Sequence, residues 1–321
     1  MKKSLVIGAA GFVGGYLAKH LRDDLHRDTI LTKLPSEEIN LDGFSVYDLD
    51  ILQLYNVRAI LDQIRPDEIY HLAAQSSVSV SWKNPRLTAE VNISGCIDLL
   101  EAVRSIENYS PKILLIGSGE EYGILPKGVS LVSEDTPVNP INPYAVTKAA
   151  QNMIGRLYAK SYGMRIVMVR AFNHIGKGQS VNFAAADFCR QTAEIIAGRR
   201  ENVIKAGNLS AKRDFTDVRD IVRAYGLLAE KGVDGETYNV GSGKSISIEE
   251  LLCKIISLSG KSIKREIDPD KLRPSDVPEI RADISKLKKD TGWQPIIPLE
   301  QTLTEILMYE LGEILNGKRR V

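Results

Sequence analysis

The run Ser4-Leu5-Val6-Ile7 passes directly into Gly8-Ala9-Ala10-Gly11-Phe12-Val13-Gly14, and Tyr16, Leu17, His20 and Leu21 follow at helical spacing. A short apolar run predicts a buried strand, and the order strand, glycine turn, helix leaves few folds open. Glycines let the backbone turn tightly and come close to another group. A helix that starts at such a turn aims free amides and a partial positive charge outward, which suits a pyrophosphate. The pattern points to a dinucleotide held at Gly8, Gly11, Phe12, Val13 and Gly14. Its glycine spacing differs from G-x-G-x-x-G.

Further strand-like runs fall at Thr29 to Thr32, Phe44 to Asp48, Glu68 to Leu72, Ile113 to Gly117 and Arg165 to Arg170. Helical periodicity lies between them at Ile51 to Arg65, Pro85 to Arg104 and Pro143 to Tyr162. This alternation predicts an α/β fold, a Rossmann-type doubly wound parallel sheet with ligands at the carboxyl ends of its strands. After Arg170 the pattern loosens, with helices expected near Phe183 to Ala197, Val218 to Glu230, Ile248 to Ser259 and Leu299 to Leu315. Ser247 and Glu250 have the spacing of a capping box. The proline-rich, charged stretch from Asp268 to Pro278 is expected to be a surface loop or lid. A chain of 321 residues exceeds the usual single domain. We expect a dinucleotide-binding domain over 1–170, its sheet completed by residues near 238–241, and a smaller, mainly substrate-binding domain over 171–321.

The 42 basic residues are scattered among 41 acidic ones for a net charge of +1, without a basic block. That argues against a nucleic-acid partner and leaves any anionic ligand to a few placed arginines. Cys96, Cys189 and Cys253 are unclustered, and with four dispersed histidines they form no metal-ligand pattern. Reduced thiols of this kind fit a cytoplasmic protein. Lys2 and Lys3 precede an apolar run that the glycines interrupt, so neither a targeting segment nor a membrane span is expected.

Asn142-Pro143-Tyr144-Ala145-Val146-Thr147-Lys148 forms a helix start that carries chemistry. Asn142 suits the N-cap and Pro143 the first helical position, which puts Tyr144 and Lys148 on one face. A cation there favours the phenolate, and each unit of downward shift from about 10 corresponds to about 1.36 kcal/mol. Such a tyrosine serves as acid or base near neutrality.

At the end of the Ile113 strand stands Gly117-Ser118-Gly119-Glu120-Glu121-Tyr122-Gly123. The glycine turn, a strand-end serine followed by Tyr122-Gly123, and Tyr144-x-x-x-Lys148 occur in the order of the extended short-chain dehydrogenases/reductases, and the chain resembles that family over essentially its whole length. The resemblance implies that Ser118 holds the reacting oxygen, that Tyr144 moves its proton, and that Lys148 holds the nicotinamide ribose and depresses the tyrosine pKa. It also implies that Leu72, Ala73 and Ala74 pass close to the cofactor, and that Asp48 and Leu49 meet the adenine. Asp48 fits a solvated strand-end carboxylate equally well. Where NAD-preferring members carry an acid after the second strand, this chain has Thr32-Lys33-Leu34, which favours NADP(H) while leaving NAD(H) open.

Within the family, the stretches around Asn173, Lys205 to Leu209, Arg213-Asp214 and Arg273 to Val277 are similar to the nucleotide-sugar-modifying branch that includes GDP-mannose 4,6-dehydratases and their reductase relatives. This similarity implies a sugar-nucleotide site built from Gln75, Ser76, Asn173, Arg213, Arg273 and Asp276, with guanidinium groups for the diphosphate. Dehydratases of this group follow the strand-end Thr with an Asp or Ser and then a Glu. Here the triplet is Ser118-Gly119-Glu120, so the side chain that assists the leaving C6 hydroxyl is missing while the base position persists. The expected activity is NAD(P)H-dependent reduction of the C4 ketone of a GDP-4-keto-6-deoxy-hexose. The alternatives are a 4,6-dehydratase or a 4-epimerase, and, more remotely, a noncatalytic dinucleotide sensor. A homodimer paired through 85–104 and 143–162 is implied by the same family.

Overall fold

The computed structural model describes residues 1–272 and 277–317. Seven strands form the main sheet: β1 (Lys3–Ile7), β2 (Asp28–Lys33), β3 (Ser45–Asp48), β4 (Glu68–His71), β5 (Lys112–Ser118), β6 (Ile166–Ala171) and β7 (Thr237–Val240). Their spatial order is β7-β6-β5-β4-β1-β2-β3, and every pairing is parallel. The order reverses beside β1, so a crevice opens at the carboxyl ends of β1 and β4. Strand alternation sends neighbouring residues to opposite faces. Val6, Leu31, Tyr70, Leu114 and Val167 pack against helices α1 (Phe12–Lys19) and Val218–Lys231, and Leu5, Ile7, Ile69, Ile113 and Leu115 pack against α2 (Leu54–Ile64) and α3 (Gly95–Arg104). Helix α4 (Pro143–Tyr162) covers the second face beside α3.

The remaining long helices are α5 (Ala184–Ile196), α6 (Val218–Lys231), α7 (Ile248–Ser259) and α8 (Leu299–Leu315). Helices α5, α7 and α8 enclose a separate core around Phe188, Cys189, Leu251, Leu252, Leu303 and Ile306. Helix α7 starts with the expected capping box, in which the Ser247 Oγ accepts from the Glu250 amide and the Glu250 carboxylate accepts from the Ser247 amide.

Two differences from the sequence expectation concern the site. The helix expected over 85–104 is interrupted by a wide turn at Glu90–Ser94. There Asn92 turns inward, holding the Gln75 amide and carbonyl at 2.8 and 3.1 Å and the Thr147 hydroxyl of α4 at 2.9 Å. The loosely patterned C-terminal half also contains strands, with Lys212–Asp217 paired to Ser245–Ser247, Glu279–Ala282 and Asn173–Ile175. Among the described residues, no helix is long and apolar enough to cross a membrane.

Candidate active site

The glycine turn is tightly packed at two of its glycines. Gly8 has φ +82°, and a Cβ there would stand 2.6 Å from the Ala73 backbone. Leu72 and Ala73 both donate their amides to Ile7 O at 2.9 Å, which draws the end of β4 over the turn. Gly14 is equally constrained, because a Cβ would fall 2.2 Å from Ala9 O. Gly11 is the N-cap of α1 and supplies no side-chain cap, leaving the first helical amides, including those of Phe12 and Val13, to a ligand. Nearby, Lys33 does not stand free for a phosphate. Its ammonium pairs with the Asp48 carboxylate at 2.5 Å, since β2 and β3 place the two residues directly opposite. Leu49 is buried beside them.

At the end of β5, Gly117 is bare because a Cβ would lie 2.3 Å from the Glu121 Oε1. That space lets Glu121 fold back and accept the Ser118 amide at 2.9 Å, while the Ser118 Oγ accepts the Glu120 amide at 3.2 Å. Since its Oγ already accepts there, the Ser118 hydroxyl keeps its proton for another oxygen. Glu121 is fully buried, and Arg170 Nε on β6 meets its Oε2 at 2.9 Å. Arg170 also donates to the Tyr122 hydroxyl at 3.0 Å, which in turn donates to Asn239 Oδ1 at 2.7 Å. Burial pushes the Glu121 carboxyl up to about 7 even with the guanidinium beside it. Sequence reasoning did not assign a role to Glu121 or to this ion pair, although Ser118 and Glu121 have the capping-box spacing that marks the turn.

Asn142 caps α4 as expected, accepting the Ala145 amide at 2.8 Å, with Pro143 at the first helical position. Its Nδ2 also donates to Glu120 Oε2 at 3.3 Å, which ties Glu120 to the helix that carries Tyr144. Tyr144 and Lys148 are both buried, and the Ser118 side chain hydrogen-bonds the phenol. Here the expectation of a depressed tyrosine pKa is corrected: burial, with Glu120 and Glu121 adding to it, pushes Tyr144 up. Lys148 offers no opposing influence because its ammonium is turned to β5, donating to Ile116 O at 2.7 Å and to Gln151 Oε1 at 3.1 Å. Burial lowers Lys148 to about 8, against the pull of Glu121. The ammonium therefore persists only below that pH. Since kcat/KM reports the free enzyme, it is expected to be level in the neutral range and to decline as pH rises through about 8. Lys148→Arg, whose guanidinium keeps its proton, should remove the decline from whatever activity remains. A wild-type profile that stays level well above that pH contradicts the assignment.

On the substrate side, Gln75 is half-buried and clamped by Asn92, while Ser76 and Asn173 are exposed. Arg213 is buried, with its Nη1 donating to Val277 O at 2.6 Å and Lys212 O at 2.8 Å. The adjoining Asp214 accepts the amides of Ser242, Gly243 and Ala282, so the strand that bears Arg213 is tied to the loop after β7. Arg273 and Asp276 lie outside the described residues.

Fold and site together define a nicotinamide-dinucleotide-dependent oxidoreductase of the extended short-chain dehydrogenase/reductase class. Residues 5–306 match the family model described as GDP-mannose 4,6 dehydratase, and the chain belongs to that family. A GDP-6-deoxy-D-mannose reductase of Pseudomonas aeruginosa is 31% identical over 306 residues, covering 95% of this chain and 96% of the relative. A UDP-glucose 4-epimerase of Mycolicibacterium smegmatis is 30% identical, covering 96% of this chain and 98% of its own. The solved structure of RMD from Pseudomonas aeruginosa complexed with NADPH superposes with a TM-score of 0.86 at 30% identity, over 97% of this chain and all of that one.

Proposed function

We propose that the protein reduces the C4 ketone of a GDP-4-keto-6-deoxy-hexose, converting GDP-4-dehydro-6-deoxy-D-mannose to GDP-6-deoxy-D-mannose. The observation that carries this reading is a complete proton-donating set at Ser118, Tyr144 and Lys148 beside a bare Gly119, where elimination of water would need an assisting side chain. Residues 1–170, with the strand near 238–241, hold the dinucleotide through Gly8, Gly11, Phe12, Val13, Gly14 and Leu72 to Ala74. Residues 171–321 supply most of the sugar-nucleotide site.

When bound, the reduced nicotinamide supplies the hydride. Ser118 directs its hydroxyl proton to the ketone oxygen and fixes its position. Tyr144 then gives its proton to the oxygen as negative charge builds there. A phenol pushed upward by burial is protonated throughout the neutral range, which is the form a reductase needs at the start of each turnover. The Lys148 ammonium lies one helical turn along the same face, fixed by Ile116 O and Gln151, and serves to hold the nicotinamide ribose.

NADP(H) is the favoured cofactor, with Lys33 meeting the 2′-phosphate by exchanging its partner Asp48, and NAD(H) is the alternative. Glu120, held beside Tyr144 by Asn142, supports a second reading as a 4,6-dehydratase with the carboxylate as base. The two are separated by mixing enzyme, GDP-keto sugar and NADPH: the reductase oxidises one NADPH per sugar, whereas product without net oxidation sinks the reading. The protein works in the cytoplasm as a homodimer. Val146, Met153 and Leu157 form an exposed apolar stripe along α4, and Trp82 and Leu87 are exposed before α3, a surface suited to a second copy. Sedimentation should give twice the 35.5 kDa chain mass, and a monomer rejects this pairing.

A further inference from the structure

The carboxyl end of β5 outlasts its neighbour on one side. Strand β4 pairs with β5 only as far as His71 opposite Leu115, whereas β6 follows β5 to Ser118 opposite Ala171. The Lys112 amide bonds to Asp67 O on the β4 side and the Ile113 amide to Arg165 O on the β6 side. Alternation along the strand therefore turns the backbone groups of Ile116 and Ser118 toward β4, where that strand has already ended. Two side chains take its place. The Lys148 ammonium donates to Ile116 O at 2.7 Å, and the Glu121 carboxylate accepts the Ser118 amide at 2.9 Å. Gly117, the residue between them, is bare and leaves the carboxylate its room. Two residues of strand span about 6.6 Å, so the substituted ladder sets a cation and an anion on adjacent rungs.

We propose that Glu121 is a positioning residue for Lys148: its carboxylate holds the ammonium at the end of β5, ready for the nicotinamide ribose, whatever reaction the bound dinucleotide then serves. The other groups around Lys148 carry no balancing charge. His71 on β4 is kept neutral, lowered to about 3 by burial and by Lys148 itself. Cys96 on α3 is a thiol that burial pushes up to about 12. On α4, Gln151 accepts from the ammonium at 3.1 Å without a charge, and burial keeps the Tyr144 phenol protonated. Glu121 differs from all of these. Burial raises it to about 7, and Arg170, the Ser118 amide and Lys148 hold it from rising further, so above that pH it is the anion of the cluster. Burial lowers Lys148, and Glu121 opposes that fall. A buried ammonium deprived of such a partner gives up its proton at lower pH.

The test is NADPH affinity, followed by fluorescence from just below neutral to alkaline pH. It compares the wild type, Glu121→Gln, and the double variant Glu121→Leu with Arg170→Leu, which strands no charge. Wild-type affinity is expected to fall as pH rises through about 8, where Lys148 loses its proton. Without the carboxylate the same fall should come about one pH unit lower in both variants. Lys148→Arg, which keeps its proton, should show no such fall, with or without Glu121→Gln. A fall that stays at the wild-type pH in both variants overturns the proposal. So does an affinity lowered by one factor at every pH, or lost throughout in both, since either makes Glu121 a structural support only. A wild-type affinity that does not change with pH, or a fall that persists in Lys148→Arg, overturns it as well. No sugar enters the measurement, so its outcome is independent of the reductase reading.

Discussion

Tyr144→Phe is expected to lower turnover by about 10² to 10⁴ while leaving dinucleotide affinity unchanged, because the substitution removes one proton and almost no surface. The ring stays buried beside Ser118, and the glycine turn proposed to hold the dinucleotide follows a different strand. The lost Ser118 contact should change stability by no more than about 1 kcal/mol, the net worth of an ordinary hydrogen bond. Turnover measured beside dinucleotide binding and thermal unfolding separates a chemical role from a structural one. A phenylalanine variant with wild-type turnover removes Tyr144 from the mechanism, and one with lost dinucleotide binding makes the residue a scaffold.

The second large effect lies behind Ser118. Arg170→Leu keeps much of the side-chain volume but leaves Glu121 buried without its guanidinium, and stranding one partner of a buried ion pair costs about 3 to 5 kcal/mol. The sign with pH follows from the raised carboxyl of Glu121. A folded-state pKa above the unfolded value contributes stability that is fully present below the unfolded pKa and is lost as pH rises through the folded one, about 7 in the wild type. Without Arg170 that folded value rises further, so the variant should stand close to wild type in mild acid and fall away from it through neutral and alkaline pH. Urea unfolding at an acidic and an alkaline pH reads this directly. Replacing both partners, Glu121→Leu with Arg170→Leu, should recover much of the loss, since no charge is then buried alone. An Arg170→Leu deficit that does not depend on pH would mean that packing, not the ion pair, holds the β5 end.

The parts of this site that a sequence can reveal are those made by neighbours along the chain. Gly8, Gly11 and Gly14 sit at one strand-to-helix turn, and Asn142, Pro143, Tyr144 and Lys148 occupy one helix start, so spacing alone predicts their local structure. The Glu121–Arg170 pair joins residues 49 positions apart, and the Lys33–Asp48 pair depends on the register of β2 and β3. Neither is visible until the sheet is assembled. The strand Lys212–Asp217 escaped because KRDFTD has no apolar alternation, and its carboxylates are buried against backbone amides instead of facing water. The wide turn at Glu90–Ser94 lies within good helical periodicity, and only the contacts of Asn92 to Gln75 and Thr147 give it a reason.

Gly119 was legible as a missing side chain, but its neighbour in the fold was not. Phe172 reaches it through the pairing of Ser118 with Ala171, a contact that exists only once β5 and β6 are side by side.

The central claim is tested most directly by supplying GDP-4-dehydro-6-deoxy-D-mannose with NADPH deuterated at the transferring position and locating the label in the product. Deuterium at C4 of the sugar, one per NADPH oxidised, is the predicted result. Unlabelled product formed without net oxidation of the added NADPH would contradict it and assign the site to internal hydride return.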